Sequence, residues 1–200
     1  MPLWAALTSA GVNATMVGTQ VSAPSWAPPS STSHEGHPGW RTGQILARLP
    51  VWAATQPDLL LIHLGTNDVG QGRPLAEILQ DMSALLGNIS LALPAARSIV
   101  TTILAMVNSD HPEWGPAVAA YNAALPALVA QWPRAALIDL APTGLCPANS
   151  DPRQRLCSQC NPGAPCTTNS SFYDRVHPTA AGYAVMAGVL AGEMLKHLLG

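Results

Sequence analysis

The feature that most constrains the fold is a largely apolar stretch, 58–64, which the segment Gly65-Thr66-Asn67-Asp68 closes. An apolar run of this length that ends in glycine and small polar residues is typical of a parallel strand covered on both faces. Ligands of open α/β sheets bind just beyond the carboxyl ends of such strands, so we expect chemistry at Asn67 and Asp68. The other interpretation is a plain turn, because Gly, Asn and Asp are all turn residues.

Helical and strand patterns alternate along the rest of the chain. We predict helices over 2–11, 42–54, 74–93, 116–132 and 180–198, and strands over 13–20, 58–64, 98–106 and 135–140. Pro50 must end or bend the second helix, because proline has no amide donor. The alternation indicates an α/β fold, a three-layer α/β/α sandwich with a parallel sheet. The 200 residues, without repeats, suit a single domain over 1–200.

Charge and composition limit the partners. Only 10% of the residues are charged and the net charge is −2, without a Lys/Arg cluster, so we expect no nucleic-acid partner and a neutral substrate. The helix predicted at 180–198 carries charged residues and indicates packing rather than a membrane span. His34 and His37 lie in a polar loop without further ligands at metal spacing, so we expect no metal there. We expect a monomer.

All cysteines fall in one Pro/Gly/Asn-rich loop, 143–172, which we interpret as an insertion; they are Cys146, Cys157, Cys160 and Cys166. A short loop that cannot build its own core favours two disulfides and an oxidising, extracellular compartment. A zinc site is the weaker interpretation, because only one pair has the C-x-x-C spacing, and free thiols stay open. Three N-x-S/T sequons, at Asn13, Asn88 and Asn169, are compatible with a secreted glycoprotein.

A second polar motif, Asp174-Arg175-Val176-His177-Pro178, precedes the last predicted helix. His177 suits a general base, because its intrinsic pKa is near neutrality, and Asp174 could hold its tautomer. The carboxamide of Asn67 and the backbone N–H of Gly39 could donate to an oxyanion. The other interpretation of this motif is a capped helix start. We also expect His63 to be a core histidine whose hydrogen bonds are satisfied, and Trp40 to anchor its loop.

The G-T-N-D and D-x-x-H-P motifs together resemble the SGNH (GDSL-like) ester hydrolases. The opening LWAALTSAGVNATMVGTQ and the later HEGHPGW are similar to carbohydrate esterase family 3, the acetylxylan-esterase-like branch, so the resemblance covers nearly the whole chain except the cysteine loop. It implies a flavodoxin-like SGNH hydrolase fold that uses no cofactor. It also implies Gly39 and Asn67 as oxyanion donors, Asp174 and His177 as triad members, and a small-molecule or polysaccharide ester as substrate.

The G-D-S motif, which carries the nucleophilic serine of that family, is absent. Ser9, Ser22, Ser31 and Ser33 lie in helix or loop contexts and are not candidates. In the family's strand order 2-1-3-4-5, the missing first strand would lie between 13–20 and 58–64. We therefore expect an amino-terminally incomplete sequence of a secreted esterase, inactive as it stands. The alternative is a carbohydrate-binding pseudoenzyme.

Overall fold

The computed structural model describes residues 2–22, 27–106, 108, 110–140, 143 and 176–199. In chain order its elements are α1 (Pro2–Ser9), β1 (Gln20–Val21), β2 (Ser33–His34), α2 (Thr42–Ala47), α3 (Leu49–Trp52), β3 (Leu59–Ile62), α4 (Thr66–Gly70), α5 (Leu75–Ala92), β4 (Arg97–Thr101), α6 (Trp114–Val129), β5 (Ala135–Ile138) and α7 (Ala180–Leu199). Short 3₁₀ turns lie at Pro29–Ser31 and Ala53–Thr55. Apart from Thr143, the predicted cysteine loop lies outside the described residues, and so does Asp174; Asn169 is part of that loop.

A parallel sheet in the order β3-β4-β5 forms the middle layer of the described residues. On one face β3 and β4 pack with α2, α5 and α6 in a core whose most buried members include Met82, Val100 and Leu125. On the other face a second core joins α1 and α7 to the sheet through Leu7, Ile99 and Met194 among others. Helices therefore cover both faces, and the predicted three-layer α/β fold is confirmed.

The predicted break in the second helix occurs just before Pro50, at Arg48. α2 ends at Ala47 and α3 begins at Leu49, so Pro50 occupies the first turn of a new helix, where its missing N–H costs nothing. Trp52 is buried in α3, and its indole N–H donates to the carbonyl of Ile45 at 3.0 Å. This bond ties the two short helices together.

The strand predicted over 13–20 is wrong. The chain is not a strand at 13–19, and only the two residues of β1 pair, antiparallel with β2. The neighbour predicted for this segment is the first strand of the sheet, and the described residues do not include that strand. Among them, β3 pairs with β4 alone. Without a strand between them the segment cannot join the sheet, and its end turns instead towards β2.

Within the described part of the chain, no helix has the length and apolar character that a membrane crossing requires. α7 has 20 residues, but its last turn carries Lys196 and His197, and Glu193 pairs with Lys196 at 2.7 Å. Its buried face belongs to the second core.

Candidate functional site

The carboxyl end of β3 leads through Gly65, which has a positive φ, into α4, which carries Asn67 and Asp68. Gly65 has φ +115°, and a Cβ there would lie 2.6 Å from the ring of Tyr121. The Tyr121 hydroxyl donates to the carbonyl of Leu64 at 2.9 Å, and burial, with the negative charge of Asp68, raises the pKa of this hydroxyl. The Tyr121 hydroxyl therefore stays protonated, and its hydrogen bond holds the backbone just after the end of β3.

Asn67 contacts the turn that carries Gly39. Its Nδ2 donates to the carbonyl oxygen of Trp40 at 2.9 Å, and Nε2 of Gln71 donates to the carbonyl oxygen of Gly39 at 3.1 Å. Gly39 is exposed and has φ +77°, a conformation that favours glycine. One N–H of the Asn67 amide holds the turn, so its second N–H is left for another acceptor. The structure brings these two predicted residues to one place; their role as oxyanion donors stays a prediction.

The other end of the same loop is anchored by Glu35. Its Oε2 accepts hydrogen bonds from the N–H and hydroxyl of Thr19 at 2.9 and 2.8 Å, and its Oε1 lies 2.8 Å from Nε2 of His37. Burial pushes the pKa of Glu35 upwards, but the bonds from His37 and Thr19 outweigh it and leave the pKa below its usual value. The ionised carboxylate thus joins the segment before β1 to the HEGHPGW loop.

Trp40 is an anchor of this loop, as the sequence predicts. Its ring stacks on His37 with centroids 4.0 Å apart, and the guanidinium carbon of Arg48 lies 5.8 Å from its centroid. The ring also packs against the main core, the one that lies between the sheet and helices α2, α5 and α6. The ring is therefore engaged within the protein, by His37 and by the core.

His177 is exposed and stands just before α7. The hydroxyl of Thr179 caps that helix by accepting a hydrogen bond from the N–H of Gly182 at 3.3 Å. Val176 packs against the main core, the cluster that also receives Trp40 and Leu64. These contacts fix the chain on either side of His177. Because Asp174 lies outside the described residues, the predicted pairing of the two stays a prediction.

A serine and a histidine do meet elsewhere, at Ser22 Oγ and His34 Nε2, 2.5 Å apart. The N–H of Gly36 donates to Nδ1 of His34 at 3.0 Å, so in the neutral ring the proton is on Nε2. His34 then donates to Ser22 and cannot accept its proton. This pair is not a nucleophile and base, in agreement with the sequence-based exclusion of Ser22.

His63 differs from the core histidine that the sequence predicts. Its Nδ1 lies 2.7 Å from the hydroxyl of Thr101, so it is satisfied, but the residue, which directly follows β3, is exposed. Desolvation of the part of the ring that faces the protein lowers the pKa of His63 to about 4. The neutral ring is the form that the folded protein prefers.

This shift predicts a pH dependence of stability. The folded-state pKa of about 4 lies below the ordinary 6.5, so the contribution of His63 is complete above pH 6.5 and is lost as the pH falls towards 4. In His63→Gln the free energy of unfolding should therefore decline less between pH 7 and 4.5 than in wild type. Urea unfolding at both pH values measures this, with His197→Gln, an exposed histidine of α7, as control. Parallel decline in wild type and His63→Gln would contradict the assignment.

Sequence reasoning missed the role of Asp68, which is 0% exposed. Its carboxylate binds Thr42 and Arg73, residues 26 positions before it and 5 after it. No local pattern reveals such a pairing, because it exists only in the folded chain. Among the described residues, no group of His, Cys, Asp and Glu could hold a metal ion.

The comparisons with known proteins agree with this fold. The sequence model of the GDSL-like lipase/acylhydrolase family matches residues 7–185. A carbohydrate esterase family 3 structure from Talaromyces cellulolyticus is 25% identical, with a TM-score of 0.73 over 97% of this chain and 87% of that chain. A mutant acetyl esterase with an acetate ion is 26% identical, with the same TM-score and coverage. The family 3 carbohydrate esterase of Clostridium thermocellum, 24% identical over 100% of this chain and 87% of that one, shares the fold with a TM-score of 0.73. No curated protein matches the sequence.

Proposed function

Because the chain belongs to the GDSL-like lipase/acylhydrolase family, we propose that it provides the base and the oxyanion donors of a serine ester hydrolase that removes acetyl groups from carbohydrate, such as a xylan-like polysaccharide. The observation that carries this proposal is the contact of Asn67 with the Gly39–Trp40 turn, which leaves amide donors for an oxyanion. The similar solved carbohydrate esterases, and the acetyl esterase with its acetate ion, support an acetyl ester of a sugar as substrate.

In the proposed reaction a serine hydroxyl attacks the carbonyl carbon and His177 accepts its proton. As the carbon–oxygen bond forms, the carbonyl electron pair moves onto oxygen, which accepts hydrogen bonds from Asn67 and the Gly39 N–H. Collapse breaks the bond to the sugar oxygen, which takes the proton from His177. Water repeats both steps on the acyl-serine, releasing acetate and restoring the serine. Asp174 would hold the imidazole tautomer that the first step needs.

The nucleophile would be carried by a further strand that lies along the free edge of β3. The 200 residues contain no G-D-S segment. Among the described residues β3 pairs with β4 alone, although its sequence is entirely apolar and Leu61 is 36% exposed. A short apolar strand with an open edge has unpaired backbone groups, which a parallel neighbour would satisfy. Such a strand would end beside Asn67, where β3 also ends.

The alternative, a carbohydrate-binding protein without catalysis, has the missing G-D-S motif in its favour. A sugar platform, however, needs an open aromatic face. Trp40, in the loop beside the candidate site, does not offer a free ring, because it is stacked on His37 and packed against the core. The hydrolase is therefore the better supported of the two functions.

Hydrolysis of 4-nitrophenyl acetate and acetylated xylo-oligosaccharides by the native protein tests the proposal. Asn67→Ala should lower kcat about 100- to 1,000-fold, the typical cost of one oxyanion donor. His177→Ala should lower it by a factor of at least about 100, the contribution of a general base. Asn88→Ala and His197→Ala, which replace exposed residues of α5 and α7, are the matched controls.

Two outcomes would contradict the proposal. If His177→Ala is as active as wild type, His177 is not the base. If the native protein binds acetylated xylo-oligosaccharides but never hydrolyses them, the carbohydrate-binding function replaces the hydrolase.

A further inference from the structure

Asp68 is the most deeply buried acidic side chain of the described residues, and its carboxylate is fully engaged. Its Oδ2 accepts hydrogen bonds from the N–H and the hydroxyl of Thr42, both at 2.9 Å. Its Oδ1 accepts from Nη1 of Arg73 at 2.8 Å. A buried carboxylate is tolerated only when it is paired and hydrogen-bonded, so this set of partners must stay together.

The partners of Asp68 are placed next to those of Asn67. Asn67 holds the carbonyl of Trp40, and Asp68 holds the N–H of Thr42, the first residue of α2. Two consecutive residues of α4 thus grip the chain on both sides of Arg41. The Arg41 side chain makes no capping bond to α2, so the Asp68 carboxylate satisfies an amide that the helix itself leaves open.

We propose that Asp68 is a positioning residue, whose buried carboxylate fixes the amino end of α2 and thereby the Gly39–Trp40 turn against the amide of Asn67. This inference deepens the proposed function, because it explains how the two oxyanion donors are kept in register. Donors of an oxyanion must be fixed before reaction, and a displacement of about 1 Å can cost about 100-fold in rate.

Arg73 extends this arrangement to α5. Its Nη1 also donates to Asp81 at 2.6 Å and its Nη2 to Glu77 at 3.2 Å. The bonds to Asp81 and then to Asp68 raise the pKa of the guanidinium above its ordinary value. The backbone of α2 comes so close to Asp81 that a Cβ at Gly43 would lie 2.7 Å from its Oδ2. α2 is therefore held by Asp68 at its first residue and bounded by α5 at its second.

Asp68→Asn and Thr42→Val test the proposal from both sides of the contact. Asp68→Asn keeps the volume but loses the charge that Arg73 binds, while Thr42→Val loses only the hydroxyl bond and leaves the ion pair, so folding is less threatened. Thr42→Ser, which keeps both bonds, should rescue the second variant. Glu77→Gln is the matched control, because Glu77 binds the same arginine at an exposed position, with 55% of its side chain accessible.

Two quantities are measured on the native protein and on each variant. The first is the hydrogen-exchange rate of the Trp40 and Thr42 amides relative to that of the core amide of Val100. The second is the affinity for acetate, taken from shifts of the Gly39 amide signal in NMR spectra. Asp68→Asn and Thr42→Val should speed exchange at Trp40 and Thr42 about 10-fold over Val100 and weaken acetate binding at least about 10-fold. Glu77→Gln and Thr42→Ser should stay within about twofold.

Three results would overturn the inference. In the first, Asp68→Asn loses thermal stability but the relative hydrogen-exchange rates at Trp40 and Thr42 do not change. Asp68 would then have a purely structural role. The second is an equal effect of Glu77→Gln. The third is relative exchange that changes while acetate affinity does not, so that the turn moves without affecting binding. Failure of wild type to bind acetate would instead count against the proposed function, while the exchange data still decide whether Asp68 fixes the turn.

Discussion

Gly65→Ala is expected to destabilise the protein by about 3 kcal/mol or more. The backbone at Gly65 has φ +115°, and a Cβ would lie 2.6 Å from a Tyr121 ring that is 0% exposed. Strain at a positive φ costs about 1–3 kcal/mol and overpacking of a core adds about 1–3 kcal/mol. Because Tyr121 also holds the carbonyl of Leu64, the ring cannot move away without breaking that bond. Urea unfolding followed by tryptophan fluorescence gives the loss in free energy.

Gly72→Ala separates the two causes of this loss. Gly72 has φ +71°, but nothing lies within 4 Å of a Cβ there, so only strain is added. Its cost should be about 1 kcal/mol. If Gly65→Ala and Gly72→Ala destabilise equally, the close packing of Tyr121 against Gly65 does not limit this position.

Gly18→Ala is expected to detach β1 from β2 and to weaken the candidate site. A Cβ at Gly18 would lie 2.2 Å from the carbonyl carbon and oxygen of His34, which are backbone atoms and cannot rotate aside. The strands pair over only two residues each, so the hairpin should open before the rest of the protein unfolds. Thr19 would then lose its hold on Glu35, the anchor of the HEGHPGW loop.

Hydrogen exchange and acetate binding measure this effect. The amide of Ser22, which donates to Thr32 at 3.2 Å, should exchange at least about 10-fold faster in Gly18→Ala, while the core amide of Val100 changes less. Acetate affinity should fall about 10-fold, because the loop with Gly39 loses one of its anchors. Gly11→Ala, at φ +84° with nothing within 4 Å of a Cβ, is the control. An unchanged Ser22 amide would contradict the expected opening.

Most of the fold could be predicted from periodicity and strand ends. The helix over 74–93 and the strand over 58–64 follow from apolar patterns that burial on one or both faces requires, and both form within a few residues of the predicted ends. The strand over 13–20 fails because its sequence has the right pattern but strand pairing depends on a neighbour. Local sequence cannot supply that neighbour, and in the described part of the chain β3 pairs with β4 alone.

The candidate site could be predicted in part. Asn67 and Gly39 were found from their motifs, and their contact through Trp40 and Gln71 is what those motifs cannot specify. Asp68 was visible in the same motif, yet its role needs Thr42 and Arg73 to meet it, which depends on how α2 packs on α5. The exposure of His63 was missed for a similar reason, since an apolar strand predicts burial only when both of its edges are covered.

Covalent labelling of the native protein with a fluorophosphonate tests the central claim, that this chain provides the base and the oxyanion donors of a serine hydrolase. The expected result is one labelled serine, identified by peptide mass spectrometry at the end of a strand beside β3. Its labelling should be lost in His177→Ala and retained in His197→Ala. A folded native protein that takes up no label, or one whose labelling is unchanged by His177→Ala, would contradict this account of the site.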